Sequence, residues 1–371
     1  MKYNKRKHQV NSNITAGTRE YIAENPKTIG VFFGGCSTEY EVSLQSACSV
    51  IRSIDRKKYN LVLIGIDRRL GTWFWYRGEA EQIEKDCWQS ETTCVPVFVN
   101  FDKTAHGLCY LEHGKLRSIS LDAALPILHG KNGEDGTLQG ALELMGVPII
   151  GCGLLSSAVC MDKELAHSIV AMNGIKVAKS ISIEKEDSEA DVKKVALKLG
   201  YPLFVKPVRS GSSFGITKVF KEQDLLPAVR SAFEYDSRVI LEEMIEGFEV
   251  GCAVLGVAQP MIGEVDEIEL SEGFFDYTEK YTLKTSKIHV PARINAEKAE
   301  EIKNTAFTIY KTLGCSHFAR VDMFLTPTGE IYFNEVNTIP GFTSHSRYPN
   351  MLKAAGLSFE EVVDSLLEMG V

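Results

Sequence analysis

Leu203-Phe204-Val205-Lys206-Pro207-Val208-Arg209-Ser210-Gly211-Ser212-Ser213-Phe214-Gly215 is a short apolar run followed by a loop of hydroxyls, glycines and cations. Glycine lets backbone approach an anion closely, and successive N–H groups in such a loop form a concave nest of donors. The spacing is not that of a GxxxxGK[ST] loop, and no helix clearly follows. The predicted geometry is a hairpin, out along Leu203–Lys206 and back along Ile216–Phe220, folded over phosphate groups. Taken alone, the same residues fit a solvent-exposed Ser/Gly hairpin equally well.

An acidic pattern further along favours the phosphate reading. Arg320-Val321-Asp322 ends one apolar segment, and Asn334-Glu335-Val336-Asn337 ends the next. Glu335 and Asn337 are two apart, so on a strand they share a face. If the Asp322 strand pairs alongside, Asp, Glu and Asn converge as an all-oxygen set. Hard Mg²⁺ takes such ligands and fills its remaining positions with phosphate and water.

Towards the amino end, Thr28-Ile29-Gly30-Val31-Phe32-Phe33 runs into Gly34-Gly35, a buried strand feeding a glycine turn. Apolar residues at helical spacing over Glu41–Ile51 and a second strand at Leu61–Ile66 complete a βαβ unit. A strand over Ala124–Gly130, a polar loop from Lys131 to Gly136, a helix over Thr137–Met145 and a strand over Val147–Ile150 extend it. Ligands of open α/β domains sit beyond the carboxyl ends of the strands, which marks the loops after Phe33 and Leu128. A second unit, from Met161 to about Met244, holds helices over Lys163–Met172 and Glu189–Leu199. The remainder alternates strands over Val250–Leu255, Val265–Leu270, Arg320–Phe324 and Ile331–Glu335 with a helix over Ala296–Leu313. That is an α+β pattern with a mostly antiparallel sheet.

At 371 residues, 44% hydrophobic and 24% charged, the chain has the makings of two or three soluble domains. A net charge of -8 argues against a nucleic-acid or anionic-membrane surface, while leaving local phosphate binding open. The nine cysteines include no CxxC pair, so buried free thiols in a reducing cytosol are expected rather than a zinc ribbon. No run reaches transmembrane length. Residues 1–27 form a polar leader without the apolar core of a secretion signal, which points to a cytoplasmic protein.

In these residues and their order the chain resembles the ATP-grasp fold, and within it the D-alanine–D-alanine ligase family. The resemblance runs from about Ile29 to the end. It is carried by Gly34-Gly35-Cys36-Ser37-Thr38-Glu39-Tyr40-Glu41-Val42-Ser43, Leu128-His129-Gly130, Gly133-Glu134-Asp135-Gly136-Thr137 and Met161-Asp162-Lys163. Further on come Lys206-Pro207 with Gly211-Ser212-Ser213, Lys280-Tyr281, and Asn337-Thr338-Ile339-Pro340-Gly341 leading to Ser346. It implies an N-terminal open α/β (Rossmann-like) domain at 28–152, a central lid-bearing subdomain at 153–244 and a C-terminal α+β subdomain at 245–371. The lid loop falls at 271–291. A homodimer through the N-terminal domain is implied too.

By resemblance, Lys163, Lys206 and Lys280 contact ATP phosphates, with Ser213 and Phe274 also in the ATP set. Glu242 meets the adenine amino group and Glu249 the ribose. Asp322, Glu335 and Asn337 hold two Mg²⁺, with Mn²⁺ as an alternative ion. Glu39 binds the ammonium of a first D-alanine, His129 lies near it, and Ser212 and Tyr281 complete a hydrogen-bonded set that locks the lid. The implied chemistry runs through an acyl phosphate, with Arg320 and the Gly341 N–H stabilising the oxyanion formed when the second amine attacks.

Acceptors in this family are D-alanine, D-serine or D-lactate. Lys280-Tyr281 resembles the peptide-forming members, and Arg347 follows Ser346 where leucine is usual. A guanidinium there brings donors that could bond a hydroxyl, and such a site rejects an analogue lacking it. Together these features resemble the vancomycin-resistance D-alanine–D-serine ligases. The expected product is D-alanyl-D-serine for modified peptidoglycan precursors; the alternative is a housekeeping D-alanine–D-alanine ligase of cell-wall synthesis. Read by itself, Arg347 also fits a residue that only pairs with a nearby carboxylate.

Overall fold

The computed structural model describes residues 26–212, 214–270 and 286–371. Its amino-terminal sheet is built on the strand Lys27–Gly34, which runs parallel to Tyr59–Ile66 on one side and to Ala123–Pro126 on the other. Alternation sorts the side chains of the first strand. Ile29, Val31 and Phe33 enter one core with the helix Tyr40–Ser53, whose Tyr40, Leu44, Ala47, Cys48 and Ile51 fall on one face. Phe32 enters a second core with Leu138, Leu142 and Met145.

Antiparallel strands Trp73–Tyr76 and Cys94–Pro96 extend the sheet, and a separate three-stranded sheet spans Phe98–Ser120; neither was expected from the sequence. Two expected strands are shorter than predicted. The one at Ala124–Gly130 ends at Pro126, and the chain then turns through Gly130, which sits at φ 72°. The one at Val147–Ile150 reduces to a single bridge between Ala124 and Ile149, because Pro148 has no N–H to give the ladder.

The loop that opened the sequence reading lies in a four-stranded antiparallel sheet, Ser180–Glu184, Arg238–Glu243, Leu203–Pro207 and Thr217–Val219 in that order. Leu203 pairs with Val219 and Val205 with Thr217, so the chain there is a hairpin. A larger sheet carries Ser286–His289, Asp266–Leu270, Phe248–Leu255, Phe318–Leu325, Ile331–Asn337 and Lys176–Val177. The helix Lys163–Met172, read from sequence with the central unit, packs on this larger sheet instead. Its Ala166 and Val170 join Val250, Ile302, Ala306 and Val321 in one core.

The amino-terminal core is not closed by its own segment. Phe318, Phe342, Tyr348 and Met351, with Val362, Val363, Leu366 and Leu367 of the helix Phe359–Gly370, are contiguous with Ile29, Val31 and Phe33. A capping box of Ser358 and Glu361 starts that helix. Among the described residues no helix is long and apolar enough to cross a membrane.

Candidate functional site

Glu39 caps the helix Tyr40–Ser53 at the carboxyl end of the first strand, and its carboxylate is buried. The hydroxyl of Ser212, from the glycine hairpin, donates to Glu39 Oε1. A β-carbon at Gly130 would stand 2.6 Å from Glu39 Oε2, and one at Gly211 would stand 2.7 Å from it. Glycine at both positions is what lets two loops close on one carboxylate. Around it lies a cavity of about 250 Å³ lined by Glu39, His129, Ser212, Arg320, Gly341 and Ser346, among others. Drug-sized ligands occupy roughly 300–1,000 Å³, so this one suits small substrates.

His129 lines the cavity with both ring nitrogens engaged. Nδ1–H donates to the carbonyl of Ile339 at 2.8 Å, and Nε2 accepts from Ser46 Oγ at 3.1 Å. Ser46 in turn accepts from the N–H of Phe342 at 3.2 Å. Burial lowers the imidazole pKa to about 4, so the ring is neutral. Glu134 grips the same loop: it accepts from Gly130 N–H at 2.8 Å and from Ile339 N–H at 3.0 Å. Burial and the nearby Glu39 charge raise its pKa. The backbone that carries Gly341 is therefore held by the amino-terminal domain. Sequence reasoning quoted Glu134 in a motif but gave it no role, and Ser46 escaped notice.

The strands Phe318–Leu325 and Ile331–Asn337 pair antiparallel, with Asp322 opposite Glu335 and Arg320 opposite Asn337. Asp322 is fully buried. It accepts from Arg320 Nε at 2.8 Å, from Arg320 Nη2 at 2.7 Å and from Asn337 Nδ2 at 2.8 Å. Among the described residues no three Asp, Glu, His or Cys side chains gather into a self-sufficient metal cage. Two carboxylates and an amide oxygen are hard donors. They fit a cation that takes its other ligands from phosphate and water.

Arg347, read from the sequence as a source of donors for an acceptor hydroxyl, is paired with carboxylates at the edge of the cavity. It opens the helix Arg347–Ala354, lies buried, and borders the cavity while committed to carboxylates. Nε and Nη2 fork onto Asp266 at 2.7 and 2.8 Å, and Nη1 donates to Glu249 at 2.7 Å. Asp322 stands 3.4 Å from Nη2. The pairing alternative raised from the sequence is thus realised, with three acids instead of one. Asp266, wholly buried, was not singled out; its only trace in the sequence is an acid beginning a predicted strand.

Beside the cavity runs a cleft of about 520 Å³ lined by Lys163, Lys206, Glu242, Glu249, Phe324 and Glu335, among others. Lys163 Nζ donates to Ser210 O at 2.7 Å and stands 3.9 Å from Glu335. Lys206 Nζ donates to Glu242 Oε1 at 2.5 Å. The other oxygen, Glu242 Oε2, is buried and has no partner. Such an orphaned acceptor fits an incoming N–H donor. Ser213, Phe274, Lys280 and Tyr281, with residues 271–285 of the expected lid and the leader to residue 25, lie outside the described residues.

Comparison with known proteins covers most of the chain. The family model for the D-ala D-ala ligase N-terminus matches residues 28–152, and that for the D-ala D-ala ligase C-terminus matches 169–368. A D-alanine–D-alanine ligase of Caldicellulosiruptor bescii is 40% identical over 348 residues, covering 92% of this chain and 94% of its own. The vancomycin B-type resistance protein VanB of Enterococcus faecalis is 42% identical over 352 residues, covering 94% and 99%. The crystal structure of the VanG D-Ala:D-Ser ligase from Enterococcus faecalis superposes with a TM-score of 0.87 at 56% identity, covering 94% of this chain and 100% of that one.

Proposed function

The chain belongs to the D-alanine–D-alanine ligase family of ATP-dependent ligases, and from that premise we propose that it joins D-alanine to D-serine, supplying modified peptidoglycan precursors that confer glycopeptide resistance. The observation that carries this reading is the cavity itself: a glycine-cradled carboxylate, a guanidinium and a backbone N–H around a small space beside a nucleotide cleft. Glu39 takes the ammonium of the first D-alanine, and the Ser212 bond ties the phosphate hairpin down over it. The carboxylate of that D-alanine attacks the γ-phosphate of ATP, forming an acyl phosphate and releasing ADP, with Lys163 and Lys206 offsetting phosphoryl charge. The free amine of the second amino acid then attacks the activated carbonyl, and collapse of the tetrahedral adduct expels inorganic phosphate as the nitrogen loses a proton. Arg320, fixed by its fork onto Asp322, and Gly341 N–H meet the oxyanion. Mg²⁺ held by Asp322, Glu335 and Asn337 supplies further charge neutralisation when bound.

D-serine as acceptor is supported by two features. Arg347 and its carboxylates give the far wall of the cavity a polar character that leucine would lack, and the VanG ligase is named for that product. VanB and the Caldicellulosiruptor enzyme resemble this chain about equally, at 42% and 40% identity, so those two likenesses do not favour one acceptor over another. The test is product composition: enzyme, Mg-ATP, D-alanine and D-serine near neutral pH, with the dipeptides separated. D-alanyl-D-serine is expected to predominate. Exclusive D-alanyl-D-alanine under excess D-serine would assign the housekeeping reaction instead.

A further inference from the structure

Three serines on or just ahead of the helix Tyr40–Ser53 each take one N–H, and each gives its own proton to the segment Ile127–His129. Ser37 Oγ accepts from Glu39 N–H at 3.1 Å and donates to the carbonyl of His129 at 2.7 Å. Ser43 Oγ accepts from Gly34 N–H at 2.8 Å and donates to the carbonyl of Ile127 at 2.5 Å. Ser46 Oγ stands 3.1 Å from His129 Nε2 and accepts from Phe342 N–H at 3.2 Å, across 296 residues of chain. The direction of the His129 contact follows from the other side of the ring. Nδ1 faces the carbonyl of Ile339, which only accepts, so Nδ1 holds the ring proton and Nε2 takes the Ser46 hydrogen. Ser37 and Ser43 thus bond within the amino-terminal domain, and of the three Ser46 is the one that ties it to the Gly341 loop.

That tie brackets one peptide group. His129 holds the Ile339 carbonyl, Ser46 holds Phe342 N–H, Glu134 holds Ile339 N–H at 3.0 Å, and Pro340 has no N–H to give. Gly341, whose N–H is the one left over, lines the cavity. Resting on the reading of this N–H as an oxyanion donor, we propose that Ser46 is a positioning residue for the second chemical step. Wholly buried behind the cavity wall, it touches no substrate; through Phe342 and His129 it sets where the Gly341 N–H points. The oxyanion forms when the acceptor amine attacks the acyl phosphate, not in the phosphoryl transfer that makes it. Ser46 therefore acts on the second step and spares the first.

A ratio of two rates tests this whatever fraction of the protein is folded. Mg-ATP with heavy oxygen in its β,γ bridge scrambles the label when the terminal phosphoryl group moves to D-alanine and back. Scrambling therefore reports the first step, and dipeptide formation reports both. Ser46→Ala removes the donor and the acceptor together. It should raise the ratio of scrambling to dipeptide roughly 10- to 100-fold, the effect of misplacing a group by up to an ångström. Ser43→Ala, equally buried and deprived of a matching pair of bonds, should lower the denaturation midpoint and leave the ratio at its wild-type value. Ser46→Cys keeps a weak donor and a weak acceptor, should fall between, and carries the test if the alanine variant does not fold. An unchanged ratio in the folded Ser46 variants, or an equal rise in Ser43→Ala, would overturn the proposal while the ligase reading stands. Wild-type protein that makes no dipeptide would overturn both.

Discussion

Arg347 shows how one residue can be noticed for one reason and matter for another. Burial opposes its charge, and Asp266 and Asp322 more than offset that, so the guanidinium is ionised throughout the accessible range. Removing it leaves Asp266, Glu249 and Asp322 facing one another with less counter-charge. Breaking a buried ion pair from one side costs about 3–5 kcal/mol. Arg347→Leu is therefore expected to lower the thermal midpoint markedly, and adding Asp266→Asn should restore part of the loss. A shift of product towards D-alanyl-D-alanine has to be scored on the folded fraction. An Arg347→Leu protein as stable as the parent would show that the three acids are solvated or protonated instead.

Among the elements, the helix Lys163–Met172 carries Lys163 to the cleft, and its start is fixed by Asp162. That side chain accepts from Leu165 N–H at 3.0 Å and from Arg238 Nη2 at 2.7 Å. Asp162→Ala removes the cap and the strand contact together. It should cost about 1–2 kcal/mol and weaken Mg-ATP binding, whereas Asp162→Asn keeps the cap and should keep most of the stability. Denaturant midpoints and calorimetry on both variants check this; equal effects would mean that the ion pair, not the cap, fixes the helix. Elements of this kind were legible in the sequence because their signals are local. The periods of 2 and 3.6, the Gly211 hairpin and the two-residue step from Glu335 to Asn337 all survive without tertiary context. The partners of Arg347 were not legible, because Asp266 lies 81 residues away and meets it only once the sheet has formed. The same holds for Glu134 and Ile339, 205 residues apart.

Across the whole molecule, the amino-terminal domain and the Gly341 loop are joined through His129, Ser46 and Glu134. The folded imidazole stays neutral down to about pH 4, while in the unfolded chain it takes a proton near 6.5. Its contribution to stability is present above pH 6.5 and is lost as the pH falls towards 4, by about 3 kcal/mol in all. His129→Asn keeps a donor for the Ile339 carbonyl and does not titrate. Unfolding free energies of the two proteins should therefore converge, or cross, between pH 7 and 4; parallel curves would assign the acid transition to other groups. The shared core has a different consequence, one of timing. The first strand cannot finish burying Ile29, Val31 and Phe33 until the helix Phe359–Gly370 reaches it. Ribosomes add roughly 5–20 residues per second, so the nascent amino-terminal domain waits on the order of 10–60 s with an apolar face uncovered. During synthesis, that uncovered face is the surface a chaperone would have to shield.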